Sequence, residues 1–460
     1  MELQFCGAAK TVTGSCHYLD TDKHKILIDC GMFQGLDRNK NFGSFPFNPT
    51  DIEYVFLTHA HIDHCGRLPV LIKNGFRGKI ISTRATRDLV RILLKDSAKI
   101  QKEDLRRCLG QKRSNCEREA LYTEEEVDDT MQYFVTYPYG DSVKLEDGLE
   151  FRMRDAGHIL GSAIFELWLV NGSDRLRKVV FSGDLGQPGQ RIIKDPDMIR
   201  EADYVVIEST YGNRLHKSKD ETMLEFMTVI KRALEENGNV LIPSFAVERS
   251  QEILYELNLF VENKLIEGLN VYFDSPLAQK ATEIFTRYAE LYDEDARRLI
   301  ETGDNIFEFE GLEYVADFSD SRRLSARKGI MIIAGSGMCT GGRIVYHLQN
   351  NITDPRNHLV FAGYQVHGTL GRKIIDGAKS VRIRGQEYDV GIQTHTLGGL
   401  SAHSDKNDLE YWLRGFGHSP RKVFVVHGDE EVIDFFSDHI ERNLEIEAYA
   451  PELNEIVELD

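Results

Sequence analysis

The sequence has none of the features that mark membrane proteins or exported proteins. Its 460 residues contain no apolar run close to the roughly 18 residues that a membrane-spanning helix needs. Residues 1–31 also lack the basic and unbroken apolar segments of a signal peptide. We therefore expect a cytoplasmic protein without membrane partners.

Cysteine is scarce, with an odd total of 7 residues that never form a CxxC pair. This pattern argues against both a disulfide framework and a zinc site built from thiolates. We expect all of them to be reduced thiols. They are Cys6, Cys16, Cys30, Cys65, Cys108, Cys116 and Cys339.

Basic residues are also fewer than acidic residues. The chain has 56 Lys and Arg against 74 Asp and Glu, and its formal net charge is -18. Non-specific binding to nucleic acid depends on Lys and Arg, so any attraction for a nucleic acid must come from a local group of basic residues. With 41% hydrophobic and 28% charged residues the chain is globular, and its length allows two or three domains.

Two patterns of secondary structure alternate along the chain. Up to about residue 204, short strands with Gly-containing turns predict mostly antiparallel β structure, interrupted by helices within residues 84–133. Strands and helices then alternate, which predicts a parallel sheet of βα units. Short strands return at 392–396 and 422–426. We predict an α/β protein in which residues 209–385 are inserted between residues 1–208 and 386–460 of another domain.

The most informative segment for chemistry is the loop at residues 58–66, THAHIDHCG, which follows an apolar strand. Imidazole and carboxylate are preferred ligands of borderline divalent metals, and so tight a loop can hold two ions. We predict that His59 and His61 face one ion while Asp63 and His64 face the other. A single histidine would be explained as structural, but four ligand-type residues at this spacing favour a metal site.

Two later turns supply further ligands. Residues 156–162 place His158 between two strands, and residues 181–186 end a strand with Asp184 in a glycine-containing turn. Gly-His and Gly-Asp pairs are ordinary in turns, so these two gain meaning from the histidine loop upstream. Asp184 is the natural carboxylate to bridge two metal ions.

Together with LIDCG at residues 27–31, these segments resemble the four signature motifs of the metallo-β-lactamase superfamily, in order. Three later segments are similar to motifs A, B and C of its β-CASP branch, which includes RNase J and the nuclease subunit of the eukaryotic cleavage and polyadenylation complex. They are VIESTYG at 206–212, LSAHSD at 400–405 and VVHGD at 425–429. The resemblance is nearest to short prokaryotic members without appended RNA-binding domains.

The resemblance implies a metallo-β-lactamase αββα sandwich with an inserted β-CASP domain of alternating βα units. It also implies two Zn²⁺ ions per chain, held by seven residues. These are His59, His61 and His158 for the first ion, Asp63, His64 and His427 for the second, and Asp184 for both. The set contains every ligand that the loop and the two turns suggest by their chemistry.

Three further residues gain catalytic roles from the resemblance. Asp29 matches an aspartate that orients the metal site, as a carboxylate near histidine N–H groups can. Glu208 and His403 match a hydrogen-bonded pair whose histidine approaches the scissile phosphate. The competing interpretation is that Glu208 lies at the surface and that His403 is incidental to a helix cap at Asp405.

These parts predict a zinc-dependent ribonuclease. Ions that share Asp184 would also share a hydroxide, because metal coordination lowers the pKa of water to around 7. The hydroxide would attack phosphorus, while protonated His403, supported by Glu208, would hydrogen-bond the phosphate or protonate the departing 3′ oxygen. The products would carry 5′-phosphate and 3′-hydroxyl ends. Internal cleavage and cleavage from the 5′ end both stay open, as do a single chain and a homodimer.

The inserted segment has features that suit substrate binding. Residues 335–342 form a Gly- and Ser-rich turn before a helix, whose backbone N–H groups suit a phosphate, although a plain βα turn would read the same. Basic residues surround it between Arg322 and Arg384, with a salt-bridged surface as the competing interpretation. The predicted substrate-binding residues are Ser336, Gly337, Arg343, Tyr364 and Arg372.

Three rival functions share parts of this pattern. A DNA-processing nuclease of the same branch would share the metal site, but such members typically lack a histidine at motif C, so His427 favours RNA. A small-molecule metallohydrolase, such as a thioesterase or a lactamase, would not need the inserted segment. A catalytically inactive partner subunit normally lacks some ligands, and none is missing here.

Overall fold

The computed structural model of the protein describes residues 1–110, 119–170, 175–363, 365–366 and 368–460. These residues form two compact units. Unit 1 comprises Met1–Gly189, Asp195–Leu215 and His403–Asp460, and unit 2 comprises Gln190–Lys194 and His216–Ala402.

The strands are β1 (Glu2–Gly7), β2 (Cys16–Asp20), β3 (Lys25–Ile28), β4 (Tyr54–Phe56), β5 (Lys79–Ser82), β6 (Phe134–Thr136), β7 (Ser142–Glu146), β8 (Leu149–Asp155), β9 (Ala163–Val170), β10 (Leu176–Phe181), β11 (Tyr204–Glu208), β12 (Val240–Pro243), β13 (Asn270–Phe273), β14 (Leu312–Tyr314), β15 (Ile330–Ala334), β16 (His358–Phe361), β17 (Ser380–Ile383), β18 (Gln386–Asp389), β19 (Gln393–Thr396), β20 (Lys422–Val426), β21 (Ala448–Tyr449) and β22 (Ile456–Glu458).

The α-helices are α1 (Ile62–Cys65), α2 (Leu68–Lys73), α3 (Arg84–Gly110), α4 (Glu124–Thr130), α5 (Lys219–Glu235), α6 (Arg249–Glu262), α7 (Pro276–Arg287), α8 (Glu294–Glu301), α9 (Phe318–Arg323), α10 (Gly342–Asn351), α11 (Leu370–Ile375), α12 (Lys406–Arg414) and α13 (Glu430–Leu444). Short 3-10 helices lie at Gly35–Phe42, Pro49–Asp51, Met131–Tyr133, Ala289–Leu291, Leu324–Ala326 and Gly398–Leu400.

Unit 1 is a sandwich of two sheets, each with seven strands among the described residues. Their strand orders are β22-β1-β2-β3-β4-β5-β6 and β21-β20-β11-β10-β9-β8-β7. Alternate residues of each sheet enter a shared apolar core, in which Phe56 contacts both Phe151 and Phe165. Because burying one such ring contributes roughly 1.5–3 kcal/mol, this core holds the two sheets face to face.

Helices cover the outer faces of the sandwich. Trp412 of α12 and Phe436 of α13 pack with Val205 and Ile207 on the second sheet. On the first sheet, α3 contacts β6 and buries Leu89 and Leu94. This arrangement is the predicted αββα sandwich, which is confirmed.

Up to about residue 204 the strands of unit 1 are mostly antiparallel, as predicted: β1, β2 and β3 pair in this way, and so do β7, β8, β9 and β10. Two groups of strands depart from this pattern. Strands β3 to β6 are parallel to one another, and so are β10, β11, β20 and β21. Parallel pairs need long crossover connections, which the local alternation of residues does not reveal. The consequence is functional, since parallel strands bring their carboxyl ends to the same edge of a sheet.

Unit 2 is built on a sheet of six strands within the described residues, in the order β14-β13-β15-β12-β16-β19. Every neighbouring pair in it is parallel, as the alternation of strands and helices predicts. The central strand β15 is entirely buried and apolar, which is typical of a parallel sheet covered on both faces.

The two units divide the chain at residues other than the predicted domain boundaries, 208/209 and 385/386. Strand β19 covers most of the strand predicted at 392–396, and it pairs with β16 inside unit 2. The compact units change at 215/216 and 402/403. Compact units and domains are defined differently, so the predicted domain boundaries stay a prediction.

Two expectations about the whole chain concern membranes and cysteines. None of the helices in the described parts of the chain is long and apolar enough to cross a membrane. Cysteines 6, 16, 30, 65 and 339 are buried free thiols, as predicted. Cys108 is disulfide-bonded, so the prediction that all seven are reduced is wrong. A single isolated bond needs no patterned framework, which is why the spacing of the cysteines does not reveal it.

Candidate metal and catalytic site

The site residues of unit 1 stand where strands end. Asp29 directly follows β3, and His59 lies just beyond β4. In the second sheet, Asp184 lies just beyond β10, Glu208 ends β11, and His427 directly follows β20. The parallel pairing of these strands explains why residues so distant in sequence meet at one edge of the sandwich.

The first group of ligand-type atoms comprises His59, His61, His158 and Asp184. His61 Nδ1 lies 3.1 Å from His59 Nε2 and 3.1 Å from His158 Nε2. Asp184 Oδ2 lies 3.4 Å from His59 Nε2 and 3.6 Å from His158 Nε2. Ligand atoms about 2.0–2.1 Å from a tetrahedral zinc ion are roughly 3.3 Å apart, so these residues fit one zinc ion.

The second group comprises Asp63, His64 and His427. His427 Nε2 lies 3.2 Å from His64 Nε2 and 3.7 Å from Asp63 Oδ2. His64 Nε2 is 3.4 Å from Asp184 Oδ2, the same oxygen that faces the first group. The structure therefore brings together all seven predicted ligands, with Asp184 beside both groups.

The electrostatics of the cluster suit cations. Burial lowers the pKa of His59 well below its usual value and that of His61 to about 4, so both rings are neutral, the form that binds a metal. Burial also acts to lower the pKa of His64, but the charges of Asp184 and Asp29 raise it well above its usual value. Buried carboxylates thus favour positive charge at this place.

Asp29 contacts two residues of the histidine loop, His64 and Thr58. His64 Nδ1 lies 2.7 Å from Asp29 Oδ2, so a proton on Nδ1 is donated to the carboxylate and Nε2 is directed towards the second group. Thr58 donates its backbone N–H to Asp29 Oδ1 at 2.8 Å and also contacts the carboxylate through its hydroxyl. These contacts match the orienting role predicted for Asp29.

Two glycines allow the motif loops to approach one another. A Cβ on Gly31 would lie 1.6 Å from the backbone oxygen of Asp63, and a Cβ on Gly186 would lie 1.6 Å from that of Gly157. Side chains at these positions would therefore push apart the loops that carry the ligand-type residues.

Glu208 and His403 form the predicted pair beside the two groups of ligand-type residues. His403 Nδ1 lies 3.0 Å from Glu208 Oε1, and the backbone N–H groups of Leu185 and Thr210 donate to the two carboxylate oxygens at 2.8 and 3.1 Å. The rings of His403 and His158 are 4.5 Å apart. Burial acts to lower the pKa of His403, but the charge of Glu208 raises it to about 9, so the ring is an imidazolium at neutral pH.

Sequence reasoning missed the residues that orient the ligands. Thr58 Oγ1 lies 3.0 Å from His59 Nδ1, and Thr210 Oγ1 lies 3.2 Å from His427 Nδ1. The only signal in the sequence is a threonine at the start of the histidine loop and another inside motif A. Threonine is common at strand ends, so neither position draws attention by itself.

The predicted substrate-binding residues lie in unit 2. Ser336 Oγ accepts hydrogen bonds from the backbone N–H groups of Thr340 and Gly341 at 3.0 and 3.2 Å, so the hydroxyl closes its own glycine-rich turn. A Cβ on Gly337 would lie 2.6 Å from the ring of Phe245. Tyr364 lies outside the described residues.

The two predicted arginines make hydrogen bonds with other residues of the same chain. Arg343 Nη1 donates to Asp274 Oδ1 at 2.5 Å, and Nη2 donates to the backbone oxygen of Ala316 at 2.6 Å. Arg372 Nε donates to Asp376 at 2.9 Å. These ion pairs favour the competing interpretation, in which the basic residues form salt bridges. The pair of Arg343 lies deeper than a surface, because its partner Asp274 is fully buried.

Family models match three consecutive parts of the chain. They are the metallo-beta-lactamase superfamily at residues 9–224, the Beta-Casp domain at residues 250–374, and a Zn-dependent metallo-hydrolase RNA specificity domain at residues 387–451. The first two matches follow the order that the sequence motifs predict.

Whole-chain relatives agree with these matches. Ribonuclease TTHA0252 of Thermus thermophilus is 39% identical over 426 residues, which cover 92% of each chain. Transcription termination factor FttA of Methanocaldococcus jannaschii is 32% identical over 465 residues, which cover 98% of this chain and 70% of that one. FttA of Pyrococcus horikoshii is 30% identical over 466 residues, which cover 97% and 69%.

A solved structure supports the fold alone. A protein of unknown function from Enterococcus faecalis V583 superposes with a TM-score of 0.53 at 12% identity, over 99% of both chains. The family models and the relatives show that the chain belongs to the β-CASP family of metallo-β-lactamase-fold proteins. The predicted family is confirmed.

Proposed function

We propose that this chain is a zinc-dependent ribonuclease that acts in the cytoplasm and hydrolyses phosphodiester bonds in RNA. The observation that carries the proposal is the pair of ligand groups sharing Asp184 beside the Glu208–His403 pair. The proposal of RNA as substrate is supported by the name of the Thermus thermophilus relative, a ribonuclease.

Seven residues would hold two zinc ions. They are His59, His61 and His158 for the first, Asp63, His64 and His427 for the second, and Asp184 for both. When bound, zinc supplies a water of lowered pKa, about 7, and positive charge that stabilises the phosphoryl oxygens.

The other side chains of the site would orient groups and move a proton. Asp29 would keep His64 turned towards its ion, as their 2.7 Å contact allows. Glu208 would hold His403 by Nδ1 and maintain its positive charge. His403 would then hydrogen-bond the scissile phosphate or protonate the departing 3′ oxygen, which leaves 5′-phosphate and 3′-hydroxyl ends.

We propose internal cleavage as the principal mode, with removal of nucleotides from the 5′ end as a second mode. Substrate binding would involve the turn containing Ser336 and Gly337, together with Tyr364 and Arg372. Arg343 would contribute by holding this turn through Asp274 rather than by pairing with phosphate.

The purified chain should carry about two zinc ions, because two complete ligand groups are present. Elemental analysis of protein prepared without chelators measures this directly. Protein incubated with a chelator and then dialysed against zinc provides the control for metal lost in purification. A ratio that stays at one or below after this reconstitution would contradict the dinuclear site.

A further inference from the structure

His17 is a buried histidine that neither the motifs nor the proposed mechanism uses. It lies within β2, between Phe5 of β1 and Ile28 of β3, and only 3% of its surface is exposed. Its ring stacks on Phe181, with 6.2 Å between the centroids. A polar ring in an apolar core is costly unless its nitrogen atoms are hydrogen-bonded, so its position needs an explanation.

Two buried polar atoms in this region have no hydrogen-bond partner among the described residues. They are His17 Nδ1 and Asp184 Oδ1. Both residues line one cavity of about 20 Å³, which also reaches Ser182, Glu208 and His427. A cavity of about 10–15 Å³ holds one water molecule when at least two polar groups face it, so this cavity has room and partners for one.

The hydrogen-bonding capacities of the two groups suit a water between them. Burial lowers the pKa of His17 to about 4, so its ring is neutral at pH 7. A neutral imidazole nitrogen either donates to water or accepts from it, and a carboxylate oxygen accepts.

We propose that one buried water joins His17 Nδ1 to Asp184 Oδ1, and that His17 thereby positions the carboxylate that serves both metal ions. The inference rests on the proposed function in one respect, the assignment of Asp184 as the shared ligand. Asp184 Oδ2 lies 3.4 Å from both His59 Nε2 and His64 Nε2, so a bond that fixes Oδ1 also fixes the direction of Oδ2. His17 is a positioning residue and contacts neither metal nor substrate.

Three substitutions at His17 separate the effect of losing its Nδ1 atom from the effect of changing its side-chain volume. His17→Phe keeps a ring without nitrogen, His17→Asn keeps a polar atom near the position of Nδ1, and His17→Gln keeps one near the position of Nε2. Competition with a chromogenic chelator measures zinc affinity. We expect His17→Phe and His17→Gln to lose 10- to 100-fold in zinc affinity, the usual effect of removing a group that orients a ligand, while His17→Asn retains most of it.

Two results would overturn the inference. One is parent-like zinc affinity in both His17→Phe and His17→Gln, and the other is an equal loss in His17→Asn and His17→Gln, which would assign the effect to packing. Thermal unfolding of the metal-free variants checks that each one folds. If His17→Phe does not fold, the comparison of zinc affinity between His17→Asn and His17→Gln tests the inference.

A second measurement does not depend on the metals. A crystal structure of the metal-free parent protein that resolves ordered waters should show one water within hydrogen-bonding distance of His17 Nδ1 and Asp184 Oδ1. A dry cavity would refute the bridge. A parent protein that binds no zinc would instead refute the proposed function and leave the crystallographic test to decide the water.

Discussion

Replacing His403 by alanine should lower RNA cleavage by at least about 100-fold, the usual contribution of a general acid, while the zinc content stays at that of the parent. The reason is geometric, since His403 pairs with Glu208 at 3.0 Å and belongs to neither of the two ligand groups that together hold the seven predicted ligands. Its loss should therefore remove a proton donor without opening the metal site. Steady-state cleavage of a labelled RNA, with elemental analysis of the same preparations, measures both quantities.

His418→Ala is the matched control, because His418 is an exposed histidine of the same unit. It should cleave like the parent. Loss of zinc from His403→Ala, to the same extent as from a variant lacking a ligand, would show that His403 acts through the metals and not on the substrate.

Replacing Asp184 by alanine should remove both zinc and cleavage. The carboxylate lies between the two groups, with Oδ2 3.4 Å from His59 Nε2 and 3.4 Å from His64 Nε2. Metal ions supply several kcal/mol of transition-state stabilisation, and each 1.36 kcal/mol is tenfold in rate, so cleavage should fall more than about 1000-fold. Elemental analysis and RNA cleavage check the two effects.

Asp141→Ala removes an exposed carboxylate of the same unit and should change neither quantity. Retention of two zinc ions by Asp184→Ala would refute the assignment of Asp184 as the shared ligand. Retention of one ion would show that Asp184 serves a single group.

The sequence reveals the histidine loop because four ligand-type residues stand within residues 59–64, where one strand delivers them together. His427 is a different case. It follows an ordinary apolar strand and meets His64 across 363 positions of the chain. Only the family resemblance identifies it, since no local pattern distinguishes a ligand at a strand end from a turn residue.

Other features could not be predicted because they depend on contacts between residues that are distant in sequence. The direction of strand pairing depends on crossover connections, so the sequence pattern does not identify which strands of unit 1 are parallel. The prediction for Arg343 rests on local positive charge, but its partner Asp274 lies 69 positions away and is fully buried. The sequence also gives no sign of a role for His17, because inside β2 it resembles any core residue of a strand.

Hydrolysis of RNA at this site is tested by sequencing the ends that the zinc-loaded protein leaves on circular, 5′-monophosphate and 5′-triphosphate RNAs. We expect the circular RNA to be cut and the new ends to carry 5′-phosphate and 3′-hydroxyl groups, with His403→Ala almost inactive on all three substrates. Three RNAs that stay intact with the zinc-loaded parent, or ends that carry 3′-phosphate, would contradict it.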